Sequence, residues 1–255
     1  MKNLFNIEGK VAIVTGGSRG IGEMIATGFV ENGAKVYITA RKAEACDDTA
    51  ARLSKIGTCI SLPHDLSTQD GIDALVRDFT AQEDRLDILV NNAGASWGAP
   101  IDEFPADGWD KVMNINLKGP FFLTQKLLPI LRKSATYEEP ARIINTASIN
   151  GIVPPELETY PYSASKAGMI MLTRHLAKRL ASDDILVNAI APGPFQSHMM
   201  AATLATMGDA IKEANPRKRI GTPEDIAGVA IFLASRASAY TTGACVPCDG
   251  GASQV

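Results

Sequence analysis

Short apolar runs alternate with longer amphipathic stretches from residue 10 to residue 246 of this chain. A parallel sheet covered by helices on both faces produces that rhythm, because its strands are buried on both sides while each crossover helix buries one stripe. Strands are predicted at Lys10–Thr15, Lys35–Thr39, Thr58–Leu62, Leu86–Val90, Ala141–Ala147, Ile185–Ile190 and Gly243–Val246. Helices are predicted at Ile21–Glu31, Ala43–Lys55, Gln69–Glu83, Leu117–Arg132, Ser163–Leu180 and Pro223–Ala234. The last has Thr222 as N-cap, a proline in first position, and Glu224 and Asp225 at its positive end. No repeat, low-complexity tract or Pro/Ser-rich linker divides the chain. A single α/β domain over residues 1–255 is therefore expected, a doubly wound, seven-stranded parallel sheet with helices on both faces. Gln196–Arg219 breaks the rhythm. This Met- and Ala-rich segment follows a Pro-Gly-Pro turn and reads as a substrate lid inserted over the sheet.

With 45% hydrophobic and 21% charged residues the balance is globular, and a net charge of -3 gives no field that would gather a polyanion. Nucleic acid is not an expected partner. Residues 1–9 carry one lysine and no apolar run of the secretory kind, and no stretch of about 18 apolar residues follows. A cytoplasmic protein without membrane contact is expected. Of the four cysteines only Cys245 and Cys248 are close. Their CxxC spacing is that of a redox pair or half a zinc site, but with no second pair they read as small apolar residues of a strand. His64, His175 and His198 form no ligand spacing, so no metal is expected.

Between the first strand and the first helix runs Thr15-Gly16-Gly17-Ser18-Arg19-Gly20-Ile21-Gly22. Glycines at 16, 20 and 22 allow a tight turn and let a pyrophosphate approach the backbone, while the helix start aims unpaired N–H groups at it. This octapeptide resembles the cofactor motif of the short-chain dehydrogenase/reductase family, whose glycine spacing differs from the GxGxxG of larger dehydrogenases. The resemblance extends over nearly the whole chain, through Asn91-Asn92-Ala93-Gly94, Ser148, Tyr162-Ser163-Ala164-Ser165-Lys166 and Pro192-Gly193. It implies a Rossmann fold and a nicotinamide dinucleotide lying along Gly16, Ser18, Arg19, Gly20, Ile21, Gly22, Asn92, Ala93 and Gly94. Pro192, Gly193, Phe195 and Ser197 resemble the loop that closes over the nicotinamide, with Ser197 where a threonine is common.

The second strand ends in Thr39-Ala40-Arg41. Enzymes that select NAD commonly place an acid here to bind the ribose and repel a 2′-phosphate. Ala40 removes that repulsion, and Arg41 supplies a cation that Arg19 could join from the glycine loop. NADP(H) is the expected cofactor. Asp65 and Leu66 match the family position that touches adenine, although Asp65 could equally cap the helix starting near Gln69.

Tyr162 and Lys166 stand four apart on one helix face. A phenol titrating near 10 is too weak a base at neutral pH, and a nearby ammonium is expected to stabilise its phenolate. In reduction the same hydroxyl would donate a proton to the carbonyl oxygen, and the nicotinamide dinucleotide and its hydride are as the resemblance implies. Ser148 ends the fifth strand, at the carboxyl edge where open α/β sheets bind ligands, and would hydrogen-bond the reacting oxygen. Asn116 matches the family asparagine that holds a water in a relay towards Lys166. Asn114 is its rival, and the following Leu-Lys-Gly favours Asn116. Tyr160 and Tyr137 have no lysine four residues on and are set aside.

The expected pocket walls, Ala95–Trp97, Asn150–Tyr160 and Gln196–Met207, hold Trp97, Ile152, Val153, Met199, Met200 and Met207 with few charges. They suit an apolar or acyl substrate, and Met199 and Met200 fit plain lid packing as well. Within the family the chain resembles 3-oxoacyl reductases of the rhamnolipid type through Asn91–Ala99 and Leu127–Ala135. That implies a ketone or acyl thioester substrate, an acyl carrier protein as a candidate partner, and a homotetramer built on the helices near 117–133 and 163–180 and the last strand. Arg217-Lys218-Arg219 is a candidate contact for an acidic carrier, or an internally paired run.

Overall fold

A computed structural model describes residues 3–253. Its seven strands are β1 (Val11–Thr15), β2 (Lys35–Thr39), β3 (Cys59–Ser61), β4 (Ile88–Asn91), β5 (Ala141–Thr146), β6 (Ile185–Pro192) and β7 (Cys245–Cys248). They form one sheet in the order β3-β2-β1-β4-β5-β6-β7, with every neighbouring pair parallel. The chain reverses its winding between β1 and β4, which opens a crevice at their carboxyl ends.

The helices are α1 (Gly20–Glu31), α2 (Ala43–Leu53), α3 (Gln69–Thr80), α4 (Ala106–Met113), α5 (Gly119–Ser134), α6 (Tyr160–Leu180), α7 (Ala201–Ala214) and α8 (Pro223–Ala234). Strand alternation sorts the core into two layers. Ala12, Val14, Ile38 and Val90 face Ile25 and Phe29 of α1 and Ile226 and Leu233 of α8. Val11, Ile13, Tyr37 and Leu89 face Leu75 and Phe79 of α3, Leu127 and Leu131 of α5, and Leu180 of α6. The doubly wound sheet predicted from the apolar rhythm is thus the observed one.

Two helices have no counterpart in the predicted set. Helix α4 spans eight residues and buries only Gly108 and Val112, so its apolar stripe is too short to read. Helix α7, inside the segment read as an insertion, buries no residue at all and has no core-facing stripe. Helix α6 begins three residues before its predicted start because Pro161 occupies its first turn, where a missing N–H costs nothing. Cys245 and Cys248 open and close β7 as free thiols.

Candidate active site

Thr15 is the hub of the crevice. Its hydroxyl donates to the Val90 carbonyl at 3.2 Å and accepts the backbone N–H groups of Asn92 and Ala93 at 2.8 and 2.9 Å. The Asn92 amide returns a bond to the Thr15 carbonyl at 2.9 Å. These bonds press the Asn91–Gly94 turn against the glycine loop so closely that a Cβ on Gly16, whose φ is +65°, would lie 2.9 Å from Ala93 Cα. A side chain on Gly22 would collide with the Gly16 carbonyl. Asn92 and Ala93, expected along the cofactor, therefore also hold the cradle in shape. Thr15 opens the glycine motif in the sequence, but nothing there assigned it this bonding role.

Helix α1 begins at Gly20 with Arg19 as its N-cap, and no side chain caps it. Its first N–H groups therefore lack the usual side-chain acceptor and carry the positive end of the helix dipole. The Ser18 carbonyl is pinned by the Thr49 hydroxyl at 3.0 Å, which fastens the loop to α2. Ile21 is half-buried against the α1 core layer. Arg19 and Arg41 are both exposed, and neither guanidinium has an ion-pair partner among the described residues. Two unpaired cations, a bare helix start and a loop with no room for a Cβ fit a phosphorylated dinucleotide.

Asp65 does not cap α3, so that alternative is corrected. The N-cap is Thr68, which accepts from Gly71 N–H, while Asp65 accepts from the backbone and hydroxyl of Ser67 at 3.0 and 2.7 Å. An aspartate three residues nearer the strand forms the local turn, and the residue adjoining the helix caps it. Leu66 is buried in the core, so only its main chain is free to meet a ligand.

Ser148, Tyr162, Lys166 and Asn116 converge at the carboxyl ends of β4 and β5. Ser148 is buried, accepts from Asn150 N–H at 3.1 Å, and lies close enough to the Tyr162 phenol to pull its pKa down. Lys166 is buried, and its ammonium donates to the Thr146 carbonyl at 2.6 Å. Desolvation lowers it from 10.5 to about 8. The expectation that this ammonium acidifies the phenol is not met here. Lys166 Nζ lies over the Tyr162 ring, 5.6 Å from its centre, and burial raises the phenol above its ordinary 10.0. The ammonium donates to a backbone carbonyl, and the desolvation of the phenol outweighs the help from Ser148.

Asn116 occupies a π-helical turn, Asn114–Lys118, that precedes α5. Its carboxamide is fully engaged. The oxygen accepts Ala95 N–H at 2.8 Å, and the nitrogen donates to the Ala95 carbonyl and the Ser165 hydroxyl, each at 3.0 Å. Gly94 lies against the same oxygen. Asn116, not Asn114, reaches α6.

Pro192 ends β6, and Gly193 passes so near Asp249 that a Cβ would lie 2.8 Å from its Cα. Phe195 is a core residue that pairs with Gly221 in a parallel bridge, and this pairing clasps the two ends of the 196–219 segment. Ser197 approaches Gly20 across a cavity of about 530 Å³ between α1 and α7. Met199, Met207, Ile152 and Val153 are exposed. Of the basic run, Lys218 pairs with Glu213 at 2.9 Å and Arg219 forks onto Asp225.

A family model described as enoyl-(acyl carrier protein) reductase matches residues 16–253. The chain belongs to the short-chain dehydrogenase/reductase family. Among its relatives in that family is the rhamnolipids biosynthesis 3-oxoacyl-[acyl-carrier-protein] reductase of Pseudomonas aeruginosa, 49% identical over 98% of this chain and 99% of that protein. The 3-oxoacyl-[acyl-carrier-protein] reductase FabG of Thermotoga maritima is 35% identical over 96% of this chain and 98% of its own length. The solved Pseudomonas aeruginosa RhlG/NADP active-site complex superposes with a TM-score of 0.95 at 48% identity, covering 99% of this chain and 100% of that one. Such similarity makes this short-chain dehydrogenase/reductase an oxidoreductase, with the Rossmann sheet its strand order already displays.

Proposed function

We propose that this enzyme uses NADPH to reduce the carbonyl of a 3-oxoacyl thioester or a related apolar ketone to a hydroxyl. The observation that carries the reading is the pair of unpaired guanidiniums, Arg19 and Arg41, beside a glycine cradle that opens onto Ser148, Tyr162 and Lys166. The 3-oxoacyl reductases among its relatives and the NADP complex of RhlG support both the cofactor and the substrate class.

Gly16, Gly20, Gly22 and the start of α1 would hold the pyrophosphate, and Arg19 and Arg41 the 2′-phosphate. Asp65, the Leu66 main chain, Asn92, Ala93 and Gly94 would line the adenosine and ribose. Pro192, Gly193, the Phe195 main chain and Ser197 would close over the nicotinamide. Bound NADPH supplies the hydride. The Ser148 hydroxyl fixes the carbonyl oxygen, and Tyr162 gives it the phenolic proton. Because burial keeps that phenol protonated well beyond neutral pH, the donor is loaded as reduction requires. Lys166 replaces the proton and orders the site. With its side chain committed to Ala95 and Ser165, Asn116 would support a relay water through its main chain.

The segment 196–219 acts as the lid, and the exposed Ile152, Val153, Met199 and Met207 suit an apolar chain. With Lys218 and Arg219 paired internally, Arg217 is the cation of that run left for an acyl carrier protein. A cytoplasmic homotetramer is the assembly we assign, and sedimentation at micromolar concentration tests it. Solved neighbours described as gluconate dehydrogenases, at 29 to 32% identity, favour polyol oxidation as the second reading. One panel separates the two: NADPH oxidation with 3-oxoacyl thioesters of graded length, against NADP reduction with gluconate and other polyols. Turnover of polyols alone would overturn the acyl reading.

A further inference from the structure

Ser165 has no chemistry of its own in the mechanism above, yet it is fully buried within the turn that carries Tyr162 and Lys166. Its hydroxyl donates to the Tyr162 carbonyl at 2.7 Å and accepts one Asn116 amide proton at 3.0 Å. Asn116 in turn grips both main-chain groups of Ala95, directly after the Asn91–Gly94 turn. A continuous line of bonds therefore runs Tyr162, Ser165, Asn116, Ala95. It crosses from α6 through the π-helical turn to the loop that enters the substrate side. Every polar atom along it is satisfied, and that is the condition under which a buried network rigidifies rather than weakens its surroundings.

We propose that Ser165 is a positioning residue that clamps the Tyr162 turn of α6 to the Ala95 loop, so that phenol and substrate wall move as one body. The wall beyond Ala95 is fastened again to the loop that leads into α6, where Ala99 N–H donates to the Glu158 carbonyl at 3.2 Å. Between these two fastenings stands Trp97, its ring lying flat on Gly108 of α4 with Lys111 Nζ 4.8 Å from the ring centre. Releasing Ser165 frees the near end of this wall and one shared anchor of the phenol. The alignment of donor and carbonyl is then lost, while the cofactor cradle, built on Thr15 and α1, is untouched.

The inference rests on the reductase reading, and the test keeps the two apart. Full-length Ser165→Ala and Ser165→Cys are compared with wild type in steady-state reduction of a short 3-oxoacyl thioester by NADPH, in thermal midpoint, and in amide hydrogen exchange. For Ser165→Ala the expected result is a kcat lower by about tenfold, since small misplacements near the chemistry are costly. The KM for NADPH stays within about twofold, and faster exchange is confined to residues 95–98 and the first turn of α6. Ser165→Cys, with a weak donor of similar size, recovers part of kcat. An unchanged kcat overturns the proposal. So does a loss of kcat that tracks a fallen thermal midpoint, with exchange raised throughout the sheet, because that pattern marks a residue that only stabilises the fold. If wild type turns over no ketone, the reductase reading falls, and the confined exchange response alone decides for or against the clamp.

Discussion

Replacing Lys166 by methionine tests the electrostatics of the site without substrate or cofactor. The ammonium is held at about 8 against an ordinary 10.5, and the sole cause is burial. Holding that charge inside the folded protein therefore costs about 3 kcal/mol at any pH below 8. Methionine fills a similar volume without charge, but it forfeits the bond to the Thr146 carbonyl, worth about 1–2 kcal/mol. A net gain of about 1–2 kcal/mol at pH 7 follows, or about 2–8 °C in Tm for a chain of this size. The pH dependence is the sharper test. Between 8 and 10.5 the unfolded chain keeps the lysine proton that the folded one releases, so wild-type stability rises relative to the variant across that window. Between pH 7 and pH 10 the balance should move towards wild type by most of the ~3 kcal/mol, turning the advantage of Lys166→Met into a deficit, read by urea unfolding at one protein concentration. An advantage that stays constant over that range would refute the desolvation argument, and a variant less stable than wild type at pH 7 would mean the carbonyl bond outweighs it.

Arg41→Ala and Arg19→Ala should each raise the KM for NADPH by about tenfold while leaving that for NADH within about twofold, because a forked phosphate contact is worth about 1.5–3 kcal/mol; steady-state kinetics with both cofactors checks this. The kcat/KM for reduction should fall as pH rises through about 8, where Lys166 loses its proton in the free enzyme, whereas Tyr162, raised above 10, contributes no limb below that. Gly16→Ala should lower stability by about 1–3 kcal/mol and abolish dinucleotide binding measured by quenching of tryptophan fluorescence, since its positive φ and the nearby Ala93 Cα leave no place for a methyl.

The sheet was legible because parallel strands buried on both faces, such as Ala12–Val14 and Ile185–Ala191, leave apolar runs broken at most by a single buried polar residue such as Asn188, and their carboxyl ends are where the motifs had to converge. Arg19, Arg41 and the glycine loop were legible for a similar reason, since their meaning depends on position in the chain. Helix α7 was not, because a helix with no buried side chain is under no pressure to show a stripe. Thr15 and Ser165 escaped notice because they act through hydrogen bonds that close only in three dimensions, and a threonine at a strand end or a serine in a helix has many ordinary uses. The capping alternative kept open for Asp65 came from a local rule that two nearby residues could satisfy, and Thr68 satisfied it.

The electrostatic expectation for Tyr162 and Lys166 is opposed by burial, for a more instructive reason. Four-residue spacing brings Lys166 to Tyr162, but it says nothing about what else the ammonium meets, and the Thr146 carbonyl takes it first. Burial moves the two groups in opposite directions, the lysine down to about 8 and the phenol above 10, which is not the order a simple Tyr–Lys pairing suggests. Forming the phenolate at pH 7 in this state needs more than the ~4 kcal/mol that an ordinary tyrosine requires. Oxidation therefore requires the phenol to give up its proton against that cost, whereas reduction uses the protonated form that prevails at pH 7.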